Sequence, residues 1–491
     1  MVGNRLRPEE YVAFDATDLA ALVHRGEVSP LELTEAAIER IEALNSRLNA
    51  VVERDYDRAR AAARAMDVSL PLAGVPFLVK DMNIEVAGMH LTASCRWLDA
   101  LPPALQDDPL AARWRRAGLS LLGRTNTPEF AGEFVTEPTW RGSTQNPWDL
   151  ARSPGGSSGG AAAAVASGMV PIAHGNDLGG SIRVPAAACG LVGLKPSRGW
   201  VPVGPRHDEL AGGLDCEHVL TRTVRDCALM LELTSGPELT SRYPLKPHAE
   251  FSVAARTAPL RPLRIGMTLR APGGIAPTEE IGMAVEAAAS DLERAGHTVS
   301  EFHFPDSANI GDLSALVWMA GTAEEIDHYR RRIGREPRPN ELEALTWACV
   351  ALGSRHTAVD YVRARRALTA ATRDMAEAFG HIDVLLLPTT ADLPPRTGQI
   401  DGRTAAFDLD RWNRDSYGYA PYTEIFNVAG QPAISLPLAM SSGGLPIGVQ
   451  LAAPLGEDAR LLELAAWFER ERPWEQRLSE LRRRYLAAGA G

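Results

Sequence analysis

Apolar residues along the chain recur with two different spacings, and these spacings predict strands and helices in turn. Short apolar runs indicate buried strands, whereas apolar positions three or four residues apart indicate helices. Strand, helix and strand follow one another at 75–79, 109–117 and 119–122, and again at 264–267, 278–295 and 298–302. Late strands are predicted at 384–387 and 433–436. This order predicts an α/β fold with a central mixed twisted β-sheet that helices cover on both faces.

Two further regions are predicted to be mainly helical. Ser29 can cap a helix that begins at Pro30, because Glu32 stands where a capping box requires it. The region 314–378 has helical spacing almost throughout. Since no repeat or linker divides the chain, we expect one large domain over 1–491. Its parts are a helical N-terminal region at 1–70, a core at 71–240, and further strands with a helical region at 241–491.

Composition limits the partners that the protein can have. The formal net charge is −11, which argues against a surface that binds nucleic acid. The amino-terminal residues show no apolar stretch of signal-peptide length, and the small-apolar stretch at 159–173 is too short for a membrane span. Five cysteines without paired spacing favour a reducing compartment. We therefore expect a cytoplasmic protein that binds neither nucleic acid nor membrane.

Two clusters of glycine and serine are the most unusual local feature. Residues 155–160 read Gly-Gly-Ser-Ser-Gly-Gly, and residues 177–181 read Asp-Leu-Gly-Gly-Ser. Such composition alone is typical of a flexible linker. Here an alanine-rich helix and a short apolar strand at 169–173 are predicted between the clusters, which leaves little room for a linker. The glycines instead expose backbone beside serine hydroxyls.

Lysine is rare in this chain and one lysine stands at an unusual place. Only Lys80, Lys195 and Lys246 occur among 51 basic residues. Lys80 ends an apolar strand, where burial can lower its pKa and leave it neutral, a change that arginine does not undergo. A neutral lysine can serve as the base that activates a serine. The simpler alternative is that Lys80 forms an ion pair with Asp81.

Other kinds of catalytic site agree less well with the sequence. Residues 156–160 satisfy the Gly-x-Ser-x-Gly pattern of a nucleophile elbow, but the segment before them is a loop rather than a strand. No phosphate-binding Gly-x-x-x-x-Gly-Lys pattern occurs, and no spaced set of His, Cys, Asp or Glu predicts a metal site. His174 is interpreted as a core residue. No cofactor and no metal are expected.

The order of these segments resembles the amidase signature family. The resemblance rests on the two glycine–serine clusters, Lys80 upstream, and the later segments 189–197, 427–433 and 445–450. It implies a Ser-cisSer-Lys triad with Ser181 as nucleophile, Ser157 as bridging serine on a cis peptide and Lys80 as base. The oxyanion hole would consist of the amides of Leu178, Gly179, Gly180 and Ser181. Asp177, Arg183 and Ser158 would support the loop.

Within this family the chain is most similar to cyclic amide-oligomer (nylon-oligomer) hydrolases, and aryl-acylamidases and urethanases are related. The resemblance implies an amidohydrolase that cleaves the C–N bond of small, largely apolar amides or carbamates through a serine acyl-enzyme. The alternatives are the A subunit of a tRNA-dependent amidotransferase, acting as a glutaminase in a complex, and a binding protein on an inactive scaffold. The partner is expected to be a small molecule, with a homodimer left open. The expected pocket residues are Phe130, Gly132, Glu133, Trp318, Met319, Tyr417 and Tyr422.

Overall fold

The computed structural model describes residues 6–205, 207, 209–242, 245, 250–256, 261–404 and 407–487. Lys246 lies outside these residues. Within them, eleven strands form a single sheet. The strands are β1 (Val51–Arg54), β2 (Pro76–Lys80), β3 (Ser120–Thr125), β4 (Ile172–Asp177), β5 (Val192–Lys195), β6 (Cys216–Thr221), β7 (Arg264–Met267), β8 (Thr298–Glu301), β9 (Val384–Pro388), β10 (Ala433–Met440) and β11 (Pro446–Ala452).

Helices flank this sheet and make up most of the remaining regular structure. The α-helices are α1 (Pro8–Ala13), α2 (Ala16–His24), α3 (Pro30–Leu48), α4 (Tyr56–Arg64), α5 (Pro109–Ala117), α6 (Gly159–Ala166), α7 (Arg183–Cys189), α8 (Val224–Thr234), α9 (Phe251–Ala254), α10 (Glu279–Arg294), α11 (Gly311–Ile333), α12 (Ala344–Gly353), α13 (Ala358–Ala378), α14 (Leu409–Tyr419), α15 (Glu424–Ala429), α16 (Asp458–Glu471) and α17 (Glu475–Ala487). Among the helices described, none combines the length and apolar character that a membrane crossing requires.

The sheet contains both parallel and antiparallel pairs. Its strand order is β1-β3-β2-β4-β6-β5-β10-β11-β9-β7-β8. β2 is parallel to β3 and β4, and β7 is parallel to β8 and β9, whereas the strands between β4 and β9 pair antiparallel. All five residues of β2 are buried, as expected for a strand covered on both sides. The predicted α/β class with a mixed sheet is confirmed.

Several predicted elements agree closely with the observed ones. The helix predicted at 109–117 is α5, and the strand predicted at 264–267 is β7. At the start of α3 the Ser29 hydroxyl accepts from the Glu32 amide while the Glu32 carboxylate accepts from the Ser29 amide, so the capping box is formed. Four strands, β1, β5, β6 and β11, were not predicted. β6 contains Glu217 and His218, which interrupt the apolar pattern that identifies a strand.

Candidate active site

The two glycine–serine clusters and Lys80 meet at one edge of the sheet. Lys80 is the last residue of β2, and Asp177 is the last residue of the adjacent parallel strand β4. Parallel strands end on the same side of a sheet, so the loop after β4, which contains Ser181, lies near the end of β2. Ser157 lies just before α6, which begins at Gly159. The fold therefore brings together residues that are about 100 positions apart in sequence.

Lys80 is completely buried and contacts both serines of the first cluster. Its Nζ donates to Ser157 Oγ at 2.6 Å and to Ser158 Oγ at 3.0 Å. The peptide bond between Gly156 and Ser157 is cis. Asp81 does not pair with Lys80 but accepts hydrogen bonds from the Thr92 amide and hydroxyl. Thus the ion pair considered as the simpler alternative is not formed.

Burial changes the protonation of Lys80. Desolvation lowers the pKa of Lys80 to about 7, although the nearby carboxyls of Asp215, Glu217 and Asp177 act in the opposite direction. A lysine with this pKa is neutral in a substantial fraction of molecules near neutral pH. Lys195 is also buried, but its Nζ donates to the Pro196 carbonyl at 2.8 Å and no serine contacts it. Of these two lysines, only Lys80 has the contacts that a base for serine needs.

The loop after β4 presents unpaired backbone amides beside Ser181. Within the described part of the chain, the N–H groups of Gly179, Gly180 and Ser181 donate no hydrogen bond. Gly180 has φ of 143°, and a Cβ at this position would lie 2.4 Å from Thr423 Oγ1. Thr423 donates to the Gly179 carbonyl and so fixes the loop from the other side. Only glycine fits at position 180, which explains part of the sequence pattern.

A buried ion pair holds this loop against the rest of the fold. Arg183 contacts both carboxylate oxygens of Asp177, at 2.7 and 2.9 Å. Asn427 accepts from Arg183 at 2.6 Å and donates to the Asp177 carbonyl at 2.6 Å. Burial opposes ionisation of Asp177, but the Arg183 charge outweighs it and lowers the pKa of Asp177 to about 2. The Ser158 amide also donates to the Ser181 carbonyl at 3.1 Å, which joins the two clusters.

A network of buried polar side chains lies on the other side of Lys80. His174 Nδ1 accepts from the Lys80 amide at 3.3 Å, so Nε2 carries the proton and donates to Glu217 at 2.7 Å. Asn83 Nδ2 donates to Asp215 and Glu217, each at 2.8 Å. Desolvation raises the pKa of Asp215 and of Glu217 to about 7 in each case. This network therefore titrates in the same pH range as Lys80.

Two connected cavities lead to Ser181. The inner cavity has a volume of about 80 Å³ and contains Ser157 and Ser181 in its wall. The outer cavity has a volume of about 460 Å³. Five residues line both and form the passage between them: Met82, Phe130, Leu178, Asp215 and Trp318. The remaining wall of the inner cavity consists of Ala131, Gly132, Glu133, Phe134, Asn176, Gly179, Trp412, Ser416, Tyr417 and Glu424.

Most of the expected pocket residues are found in these walls, but two are not. Phe130, Gly132, Glu133, Trp318 and Tyr417 all line the inner cavity. Met319 lies in an apolar cluster with Cys349 instead. The Tyr422 hydroxyl donates to the Leu269 carbonyl at 2.8 Å, and its side chain is fully buried in the core. Neither Met319 nor Tyr422 lines either cavity, because an aromatic or long apolar side chain in a helical region packs into the core as readily as into a pocket.

Sequence reasoning missed several polar residues of the site. Asp215 and Asn176 were not singled out, and His174 was interpreted only as a core residue. A signal existed in the sequence, since Asp215, Glu217 and His218 stand close together next to apolar residues at 219–220. Buried charged residues need a specific environment, so such a run is informative. In the described residues, no three His, Cys, Asp or Glu side chains lie close enough to hold a metal ion.

The fold and this arrangement agree with the protein family that the comparisons identify. The chain belongs to the amidase signature family, because the family model described as Amidase matches residues 32–462. It is therefore a hydrolase that acts on carbon–nitrogen bonds, as the sequence predicted.

Individual relatives narrow the position of the chain within the family. It is 37% identical to the 6-aminohexanoate-cyclic-dimer hydrolase of Paenarthrobacter ureafaciens, over 95% of this chain and 96% of the relative. A solved structure of 6-aminohexanoate cyclic dimer hydrolase matches with a TM-score of 0.91 and 35% identity, covering 96% of this chain and 99% of the other. A bacterial aryl acylamidase of the same family matches with a TM-score of 0.87 and 30% identity, covering 96% and 98%. The resemblance to cyclic amide-oligomer hydrolases is confirmed.

Proposed function

We propose that the chain hydrolyses small, largely apolar amides or carbamates through a serine acyl-enzyme. Ser181 is the nucleophile, Ser157 relays the proton and Lys80 is the base. The observation that carries this proposal is the 2.6 Å hydrogen bond between Ser157 Oγ and Lys80 Nζ, formed by a buried lysine whose pKa is lowered to about 7. Ser157 and Ser181 line the same cavity, so the relay ends where a substrate can bind.

Acylation begins when Ser181 Oγ attacks the carbonyl carbon of the substrate. Its proton passes to Ser157 Oγ, and Ser157 passes its own proton to neutral Lys80. The negative charge that develops on the carbonyl oxygen meets the unpaired amides of the loop at 178–181. One such donor contributes roughly 3–4 kcal/mol to stabilising the transition state.

Collapse of the tetrahedral intermediate requires that the leaving nitrogen receive a proton. The Lys80 ammonium returns it through Ser157, the C–N bond breaks, and the amine leaves while the acyl group stays on Ser181. Water then attacks the ester carbonyl and gives its proton to the same relay. The products are a carboxylic acid and an amine, or carbon dioxide, an alcohol and an amine where the substrate is a carbamate.

The substrate class is supported by the cavity walls and by the relatives. Phe134, Trp318, Trp412 and Tyr417 give the inner cavity an aromatic lining that suits an apolar acyl chain. The relatives are named for hydrolysis of a cyclic amide dimer and as an aryl acylamidase. A glutaminase subunit of an amidotransferase is less supported, because these hydrolases match this chain over nearly its whole length.

Replacing the nucleophile tests the proposal. In Ser181→Ala we expect kcat for a chromogenic anilide to fall by more than about a thousandfold, since no atom remains to form the acyl-enzyme. Mass spectrometry of wild-type protein with a slowly hydrolysed carbamate should show the added acyl mass, and the variant should not. Ser290→Ala, on the exposed face of α10, is the matched control. Retained hydrolysis or acylation in Ser181→Ala would show that another residue attacks.

A further inference from the structure

The inner cavity contains an excess of hydrogen-bond acceptors that lack donors. Four of its lining residues have a buried polar atom without a partner among the residues described: Glu133 Oε2, Asn176 Oδ1, Asp215 Oδ1 and Ser416 Oγ. Three of these atoms are carbonyl or carboxylate oxygens, which only accept. Buried acceptors without donors are costly. A ligand that supplies several N–H donors would remove that cost.

Three carboxyl groups line this cavity, and two of them have no nearby counter-charge. Asp215 lies close enough to Lys80 for each to affect the pKa of the other. Glu133 and Glu424 form no ion pair with any described residue, and Lys80 does not influence either one. Arg403, the cation nearest Glu133, is itself held by Asp401 at 3.0 Å. Both glutamates are more than nine-tenths buried.

Aromatic rings surround the same pair of carboxyls. Trp412 Nε1 donates to Glu133 Oε1 at 2.8 Å, which fixes that carboxyl and leaves Oε2 as the unpaired atom. The Trp318 and Trp412 rings are stacked with centroids 6.1 Å apart, and Tyr417 meets Trp412 edge-on at 6.5 Å. Aromatic faces next to carboxylates are the surroundings that an alkylammonium group prefers.

We infer that the closed end of the inner cavity, formed by Glu133, Glu424 and the Trp318–Trp412 stack, binds a protonated amine at the far end of the acyl chain. The inference rests on the proposed function and names its substrate class, an amide of an ω-amino acid. The acyl side is assigned to this end because the inner cavity is the smaller one, and the first product must leave through the outer cavity while the acyl group remains bound.

The ionisation of the two glutamates agrees with a missing cation. Burial raises the pKa of Glu133 to about 8, opposed by its hydrogen bond from Trp412. Burial also raises the pKa of Glu424 to about 7, opposed by Ser314. A bound ammonium would favour the charged carboxylates and reverse these shifts. Glu424 lies beside the oxyanion loop, since its Cγ is 3.7 Å from the Cβ position of Gly179.

A pair of substrates tests this inference. One is an ω-aminoalkanoyl para-nitroanilide, and the other is the alkanoyl para-nitroanilide in which a methyl group replaces the ammonium. For the wild-type protein we expect kcat/KM to be at least about tenfold higher for the amino substrate. Glu133→Gln and Glu424→Gln should each bring the ratio of the two kcat/KM values towards one, whereas Glu293→Gln, on the exposed part of α10, should keep it.

Binding of inhibitors provides a second measurement that needs no variant. A linear alkylammonium should inhibit wild-type hydrolysis competitively and at least about tenfold more strongly than the alcohol of the same length. A substrate ratio near one, or equal inhibition by amine and alcohol, would overturn the ammonium site. A preference seen only when the amine is on the leaving group would overturn its assignment to the acyl side. Failure to hydrolyse either anilide would instead contradict the proposed function.

Discussion

Lys80 determines the pH range in which the proposed relay can work. Because Lys80 must be neutral to accept a proton, kcat/KM should rise with pH through about 7 as the ammonium loses its proton, and then level off. A pH–rate profile with a neutral anilide measures this. Asp215 and Glu217 titrate in the same range, so the observed midpoint belongs to the coupled groups.

Two variants separate Lys80 from its neighbours. Asp215→Asn removes a carboxylate that raises the pKa of Lys80, and the midpoint should therefore move to lower pH. Lys80→Arg keeps a positive charge but cannot become neutral near pH 7, and activity should be lost across the whole range. Near-normal hydrolysis by Lys80→Arg at pH 8 would contradict the assignment of the base.

At the residue scale the sequence predicted the groups that local pattern makes conspicuous. Ser157, Ser181 and Lys80 stand beside glycine clusters or at the end of an apolar strand, so their setting is visible in a few neighbouring residues. Glu424 and Trp412 have no such setting. They reach the cavity only because α14 and α15 pack across it, and their importance comes from contacts with residues nearly 300 positions away, such as Glu133.

The loop between β4 and α7 depends on the buried pair of Asp177 and Arg183. Asp177→Asn leaves the Arg183 charge buried without its counter-charge, and we expect the free energy of unfolding to fall by about 3–5 kcal/mol. Urea unfolding followed by circular dichroism measures the loss. Asp57→Asn is a matched control, because Asp57 is fully exposed beside Arg60 and its loss should not be measurable. Equal stability of Asp177→Asn and wild type would show that the pair does not hold the loop.

At the element scale, helices with clear caps and strands with uninterrupted apolar runs were predicted well. α5 and β7 agree with their predicted bounds, and α3 has its capping box. β5 and β11 were missed because each contains a glycine and a polar side chain in a short segment. Their extended form depends on neighbouring strands, which supply the hydrogen bonds that sequence patterning does not show.

The single sheet makes the whole chain a candidate for cooperative unfolding. Leu78 in β2 and Leu386 in β9 are fully buried near opposite ends of the sheet. We expect Leu78→Ala and Leu386→Ala each to destabilise the protein by about 2–5 kcal/mol. Each should shift the urea transitions followed by circular dichroism, tryptophan fluorescence and anilide hydrolysis by the same amount. Leu239→Ala, at an exposed position, serves as the control. Separate transitions for the two ends would argue against the single domain expected from the sequence.

The sequence by itself determined the fold class, the family and the residues of the proposed relay. It could do so because caps, glycine turns and apolar runs act over a few neighbouring residues. The tertiary structure decided which carboxyls lie in the cavity and how they ionise. Strand pairing places Asp215 and Glu217 beside Lys80, and helix packing closes the cavity with Glu133, Glu424 and Trp412. Desolvation and hydrogen bonding depend on all neighbours in space, so the glycine–serine clusters showed where chemistry occurs but not which substrate charge the cavity prefers.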